Sequence, residues 1–145
     1  MGTEKTSVSE QSSPSAVRVV RDKTILVVED EKDLRKAITD VLRHNNFLPL
    51  EASNGEEAIE VALAKHPDLI LLDLLMPVMG GMAALKKIRA DVWGTNVPVI
   101  ILTNLSPDKE QLVKDVVTNN PMEYLVKSDW KLHDVIKKIK KVLKK

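Results

Sequence analysis

The sequence predicts an α/β domain built as a doubly wound, five-stranded parallel sheet flanked by five helices. Three observations predict it. From Lys23 onward short β-branched runs alternate with longer helical patterns, as in strands joined by crossover helices. Runs such as Leu69-Ile70-Leu71-Leu72 are unbroken apolar, which suits strands covered on both faces. No self-similarity recurs at a solenoid period, and 145 residues suffice for one domain with a real core.

Strands are expected at residues 24–28, 47–51, 69–72, 97–102 and 124–126, several of them nearly unbroken apolar runs. The first helix follows from Leu34, Ile38, Val41 and Leu42 at helical spacing. Asn54 is the expected N-cap of the second, with Ala58, Ile59, Ala62 and Leu63 on its apolar side. Leu85 and Ile88 mark a third. Ser106-Pro107 reads as a cap with proline at the first helical position, opening a fourth through Leu112, Val113, Val116 and Val117. The fifth is expected to begin near Ser128 or Asp129, with Leu132, Val135, Ile136, Ile139, Val142 and Leu143 as its stripe. Residues 1–22, rich in serine and without apolar periodicity, read as a disordered tail, leaving 23–145 as the domain.

Composition excludes more than it selects. Lys and Arg number 22 against 21 Asp and Glu, a net charge of +1, so no general case exists for nucleic acid or membrane partners. The absence of cysteine removes disulfides, thiol nucleophiles and cysteine-ligated zinc. No apolar run approaches the roughly 20 residues of a membrane span, and there is no signal-peptide core. The expected location is cytoplasmic.

Open α/β sheets form their ligand crevice at the carboxyl ends of the strands. Glu29 and Asp30 follow the first strand and Asp73 follows the third, so adjacent strands would bring three carboxylates together. Such a cluster repels itself unless it holds a cation, and hard oxygen donors favour magnesium. A divalent ion there would also neutralise an incoming phosphoryl group, making Asp73 a nucleophile. A hydroxyl and a cation for the phosphoryl oxygens stand at two further strand ends, as Thr103 and Lys127.

Through Val27-Val28-Glu29-Asp30-Glu31, Leu72-Asp73-Leu74-Leu75-Met76-Pro77-Val78-Met79-Gly80-Gly81, Leu102-Thr103 and Tyr124-Leu125-Val126-Lys127, the chain closely resembles the response-regulator receiver family over about residues 23 to 145. The resemblance implies a flavodoxin-like fold and a phosphoryl group passed from a histidine kinase or histidine phosphotransfer protein to Asp73. It implies magnesium held by Asp30, Asp73 and the backbone carbonyl of Leu75, with Glu29 assisting through water. It further implies that Thr103 and Lys127 bind the phosphoryl oxygens while Tyr124 swings inward with Thr103, a two-state switch favoured by the added charge. Such a protein is a switch rather than an enzyme acting on other molecules.

Some residues depart from the family pattern. Asn104 stands where a smaller residue is usual, Ser128 where many receivers have proline, and Asn120-Pro121 where a small pair is common. Leu75 and Leu105 are apolar at positions that influence water access, and slow self-hydrolysis is expected. The chain stops just after the fifth helix, so output is expected through an unknown downstream protein or a shuttle to a phosphotransfer protein; the resemblance implies Lys114, Asp115, Tyr124 and Trp130 as contacts, on a monomer or a phosphorylation-dependent dimer, without direct nucleic-acid contact. The lysines of residues 137–145 read as a solvated face favoured by the helix dipole. The competing readings are a degenerate receiver acting as a constitutive interaction module and a haloacid-dehalogenase-like phosphatase, whose second aspartate is here replaced by Leu75.

Overall fold

A computed structural model describes residues 22–73, 80–103, 122–126 and 131–144, with backbone alone at 103 and 122–126. Its strands are β1 (Thr24–Val28), β2 (Leu48–Ala52), β3 (Leu69–Asp73), β4 (Val99–Thr103) and β5 (Met122–Val126). The helices among these residues are α1 (Lys32–His44), α2 (Gly55–Lys65), α3 (Gly81–Ala90) and α4 (Leu132–Leu143), with a 3-10 turn at Trp93–Thr95. The helix expected from Ser106 lies outside the described residues, as do the expected N-terminal tail and the departures at Asn104, Leu105, Asn120-Pro121 and Ser128.

All strand pairs are parallel, in the order β2-β1-β3-β4-β5. The chain therefore winds from β1 to one edge and then crosses back to β3, making β1/β3 the switch point where a ligand crevice opens. Each central strand sends alternate residues to opposite faces. Leu26, Val28, Ile70, Leu72, Val99 and Ile101 pack with Ala58 and Ala62 of α2 and Leu85 and Ile88 of α3. Ile25, Val27, Leu69, Leu71, Ile100 and Leu102 pack with Ile38 and Leu42 of α1 and Val135, Ile136 and Ile139 of α4. This two-sided burial explains the unbroken apolar runs. Each such large apolar side chain contributes roughly 1.5–3 kcal/mol relative to exposure.

Register is fixed at the start of the sheet. The Thr24 N–H donates to Asp68 Oδ2 at 2.8 Å, and the Asp68 N–H donates to the Thr24 carbonyl at 2.8 Å. That lock sets Val28 opposite Leu72. A slip by one residue would turn one strand over relative to the other and offset Glu29 from Asp73.

Several boundaries differ from the sequence expectation. Asp73 and Thr103 are the last residues of their strands rather than the residues after them. Phe47 is a buried residue before β2, and Val97 a buried residue before β4. The final helix starts at Leu132, not near Ser128: the Lys131 N–H donates to the Asp134 carboxylate at 2.9 Å, so an acid inside the first turn sets the start. Asn54 caps α2 as expected, accepting from the Glu57 N–H at 2.9 Å.

Candidate functional site

The β1–β3 register carries the chain to the site. Val28 pairs with Leu72, so the next residues, Glu29 and Asp73, stand side by side at the carboxyl ends of the two central strands. Carboxylate oxygens of Glu29, Asp30 and Asp73 lie within 4.8 Å of one another. Glu29 and Asp73 are buried, at 1% and 3% exposure, while Asp30 is open to solvent. The cluster thus combines two buried acids with one exposed to solvent, and an ion held there could keep waters on the Asp30 side.

The backbone around Glu29 is tied on three sides. Its N–H donates to the Ala52 carbonyl at 3.0 Å, prolonging the β1–β2 ladder by one step. Its carboxylate Oε2 accepts from the Glu31 N–H at 3.1 Å. Its carbonyl accepts from Arg35 Nη1 at 2.8 Å, and the same guanidinium reaches Glu51 Oε1 through Nε at 3.0 Å. The one-dimensional pattern does not mark Arg35. The signal lay in its place in the first turn of the helix after the acidic pair, but the pairing with Glu51 needs the register of Val27 opposite Glu51.

Three carboxylates this close repel one another, and a divalent cation relieves that repulsion. All donors are hard oxygens with no nitrogen or sulfur among them, the donor set that suits magnesium or calcium over zinc. The residues therefore fit magnesium.

The remaining expected site residues are placed less completely. Asp73 pairs with Leu102, so Thr103 stands one register step beyond it on the neighbouring strand. Thr103 in turn pairs with Val126, the last residue of β5, which also contains Tyr124. Lys127, which follows Val126 in sequence, and Leu75 lie outside the described residues.

The response regulator receiver domain family matches residues 25–140. The chain belongs to that family. Receiver domains are signalling switches of two-component systems. A histidine kinase of Formosa agariphila is 37% identical over 99 residues, which span 68% of this chain and 7% of that protein. The phosphate regulon transcriptional regulatory protein PhoB of Escherichia coli is 34% identical over 88 residues, spanning 61% of this chain and 38% of that protein. The chain thus spans well under two thirds of either relative. Among solved structures, the receiver domain of a Pseudomonas aeruginosa sensor histidine kinase, with a magnesium ion coordinated in its active-site cleft, superposes with a TM-score of 0.74 at 28% identity, covering 86% of this chain and 99% of that one. Among the described residues of this receiver domain, no helix is long and apolar enough to cross a membrane.

Proposed function

We propose that this chain is a single-domain response regulator that takes a phosphoryl group onto Asp73 from a histidine kinase or phosphotransfer protein, in a magnesium-dependent reaction, and signals through a phosphorylation-dependent protein-binding surface. The observation that carries it is the meeting of Glu29, Asp30 and Asp73 at the β1/β3 switch point, with carboxylate oxygens within 4.8 Å. In this reading residues 1–22 are a tail before the domain, a further helix spans the segment around 106–117, and the protein is cytoplasmic.

A carboxylate oxygen of Asp73 attacks phosphorus as the P–N bond of a phosphohistidine breaks, and the electron pair leaves with the imidazole. When bound, magnesium supplies charge neutralisation for the phosphoryl oxygens. Asp30, Asp73 and the Leu75 carbonyl would hold it, with Glu29 acting through water. Asp73 is 3% exposed, and from the end of its strand it would present its carboxylate to an incoming phosphoryl group. Thr103 and Lys127 would bind the phosphoryl oxygens, and Tyr124 would follow Thr103 inward to alter the output surface. With Leu75 and Leu105 apolar, water is poorly oriented for hydrolysis, and polar replacements there should speed phosphate loss.

The test is incubation with magnesium and acetyl phosphate or beryllofluoride, followed by tryptophan fluorescence and intact mass. A spectral change and a mass gain that vanish in Asp73→Asn support the reading. A chain that binds magnesium yet shows no Asp73-dependent change is instead a constitutive interaction module.

A further inference from the structure

The last helix has two unlike faces. Val135, Ile136 and Ile139 are buried in the core beneath the sheet. On the outside, His133, Lys137, Lys140 and Lys141 are exposed. At 3.6 residues per turn they occupy a strip roughly 100° wide and about 12 Å long. Lys144, the exposed left-handed C-cap, follows at its end. No acid falls within that strip: Asp134 lies at its margin, and its carboxylate accepts from the Lys131 N–H. Lys140 Nζ lies 3.5 Å from Asn45 Oδ1, which places the strip beside the end of α1, where Arg43 and His44 are also exposed.

We propose that this strip is a docking surface for an anionic lipid bilayer. The choice of partner rests on the residue types. Four lysines and a histidine offer point charges without the planar fork of arginine, so they suit a diffuse field of charge over a fixed carboxylate or phosphate geometry. Protein interfaces are depleted in lysine and rich in aromatic and arginine anchors, none of which stands in the strip. Nucleic-acid surfaces add arginine and polar side chains to position the backbone, and these are absent from the strip too. Clusters of four or more lysines on an amphipathic helix suit anionic headgroups. Because the apolar side of α4 is committed to the core, adhesion is electrostatic and peripheral, without insertion. It is a function separate from phosphoryl acceptance and does not depend on it.

The experiment is co-sedimentation of the full chain with vesicles of phosphatidylcholine alone or mixed with phosphatidylserine. Binding is expected to the mixed vesicles only, and to be lost between about 50 and about 500 mM salt as screening shortens the reach of the charges. Joint replacement Lys137→Gln, Lys140→Gln, Lys141→Gln and Lys144→Gln should weaken it about 1,000-fold. Joint replacement Lys23→Gln, Lys65→Gln, Lys86→Gln and Lys87→Gln, which removes the same net charge elsewhere, should leave it nearly unchanged. Circular dichroism on both variants verifies the fold. Equal binding to both vesicle types, or equal losses in the two variants, overturns the proposal. So does saturation by mixed-sequence duplex DNA or polyglutamate at a lower anion concentration than by the vesicles, which assigns the strip to nucleic acid or an acidic protein.

Discussion

Arg35 Nη1 donates to the main-chain carbonyl of Glu29 at 2.8 Å while its Nε holds Glu51 Oε1 at 3.0 Å. One guanidinium thus ties the first turn of α1 to the ends of β1 and β2, just where the acidic pair leaves the sheet. The carbonyl contact is a charge-assisted bond to a side chain only 17% exposed, whereas Glu51 is 48% exposed. Arg35→Ala should therefore cost about 1–3 kcal/mol, and Glu51→Gln, which breaks only the half-exposed pair, under about 1 kcal/mol. Urea unfolding checks both. Magnesium titration should show weaker binding in Arg35→Ala, because the Glu29–Asp30 segment loses its anchor.

Repulsion among Glu29, Asp30 and Asp73, whose carboxylate oxygens lie within 4.8 Å, is expected to lower the stability of the metal-free domain. Asp30 is the exposed member, so Asp30→Asn removes a charge without disturbing the core. Without magnesium this variant should melt higher than the parent. With magnesium the order should reverse: a ligand at ten times its Kd stabilises the folded parent by about 1.4 kcal/mol, and the variant should lose most of that gain. Thermal melts with and without the metal check the crossover.

The meeting of Glu29, Asp30 and Asp73 was legible in sequence because these carboxylates follow apolar runs directly, and strand ends in such sheets converge. Glu29, Asp30 and Asp73 needed only the adjacency of β1 and β3, which the switch-point topology supplies. The two-faced core was legible from the same runs. The start of α4 was not. The sequence places that start near Ser128 or Asp129, yet the anchoring acid is Asp134, inside the first turn. Arg35 escaped for a related reason: its partners, Glu29 and Glu51, come from two strands whose relative register the one-dimensional pattern does not contain.

Gly94 is another residue whose importance is three-dimensional. It sits in the buried centre of the 3-10 turn after α3, where an added Cβ would overlap the Ile88 carbonyl oxygen and lie 2.8 Å from its carbonyl carbon. Arg89 Nη1 clamps the same turn by donating to the carbonyls of Gly94, Thr95 and Val97 at 3.0, 3.1 and 2.7 Å. Backbone on both sides leaves little room to relax. Gly94→Ala should cost roughly 2–3 kcal/mol, at the upper end for overpacking, and should disturb the stacking of Trp93 on His66, whose centroids are 4.6 Å apart. Denaturant unfolding followed by tryptophan fluorescence reads both effects.

Acid stability should carry a signature of Glu57. Its Oε1 accepts from the Ser53 N–H at 2.7 Å and the Ser53 hydroxyl at 2.9 Å, and these bonds hold its carboxyl below the usual carboxylate range. The folded state therefore binds this proton more weakly than the unfolded chain. The resulting stabilisation is fully present above the unfolded carboxylate value, shrinks as pH falls below it, and is gone once pH passes the lowered folded value. Glu57→Gln keeps an acceptor for Ser53 but does not titrate. It should therefore be less stable than the parent near neutral pH and converge with it in acid, because only the parent loses the contribution there. Melting temperatures measured from neutral pH down through the carboxylate range check this, and parallel curves for the two chains would contradict it.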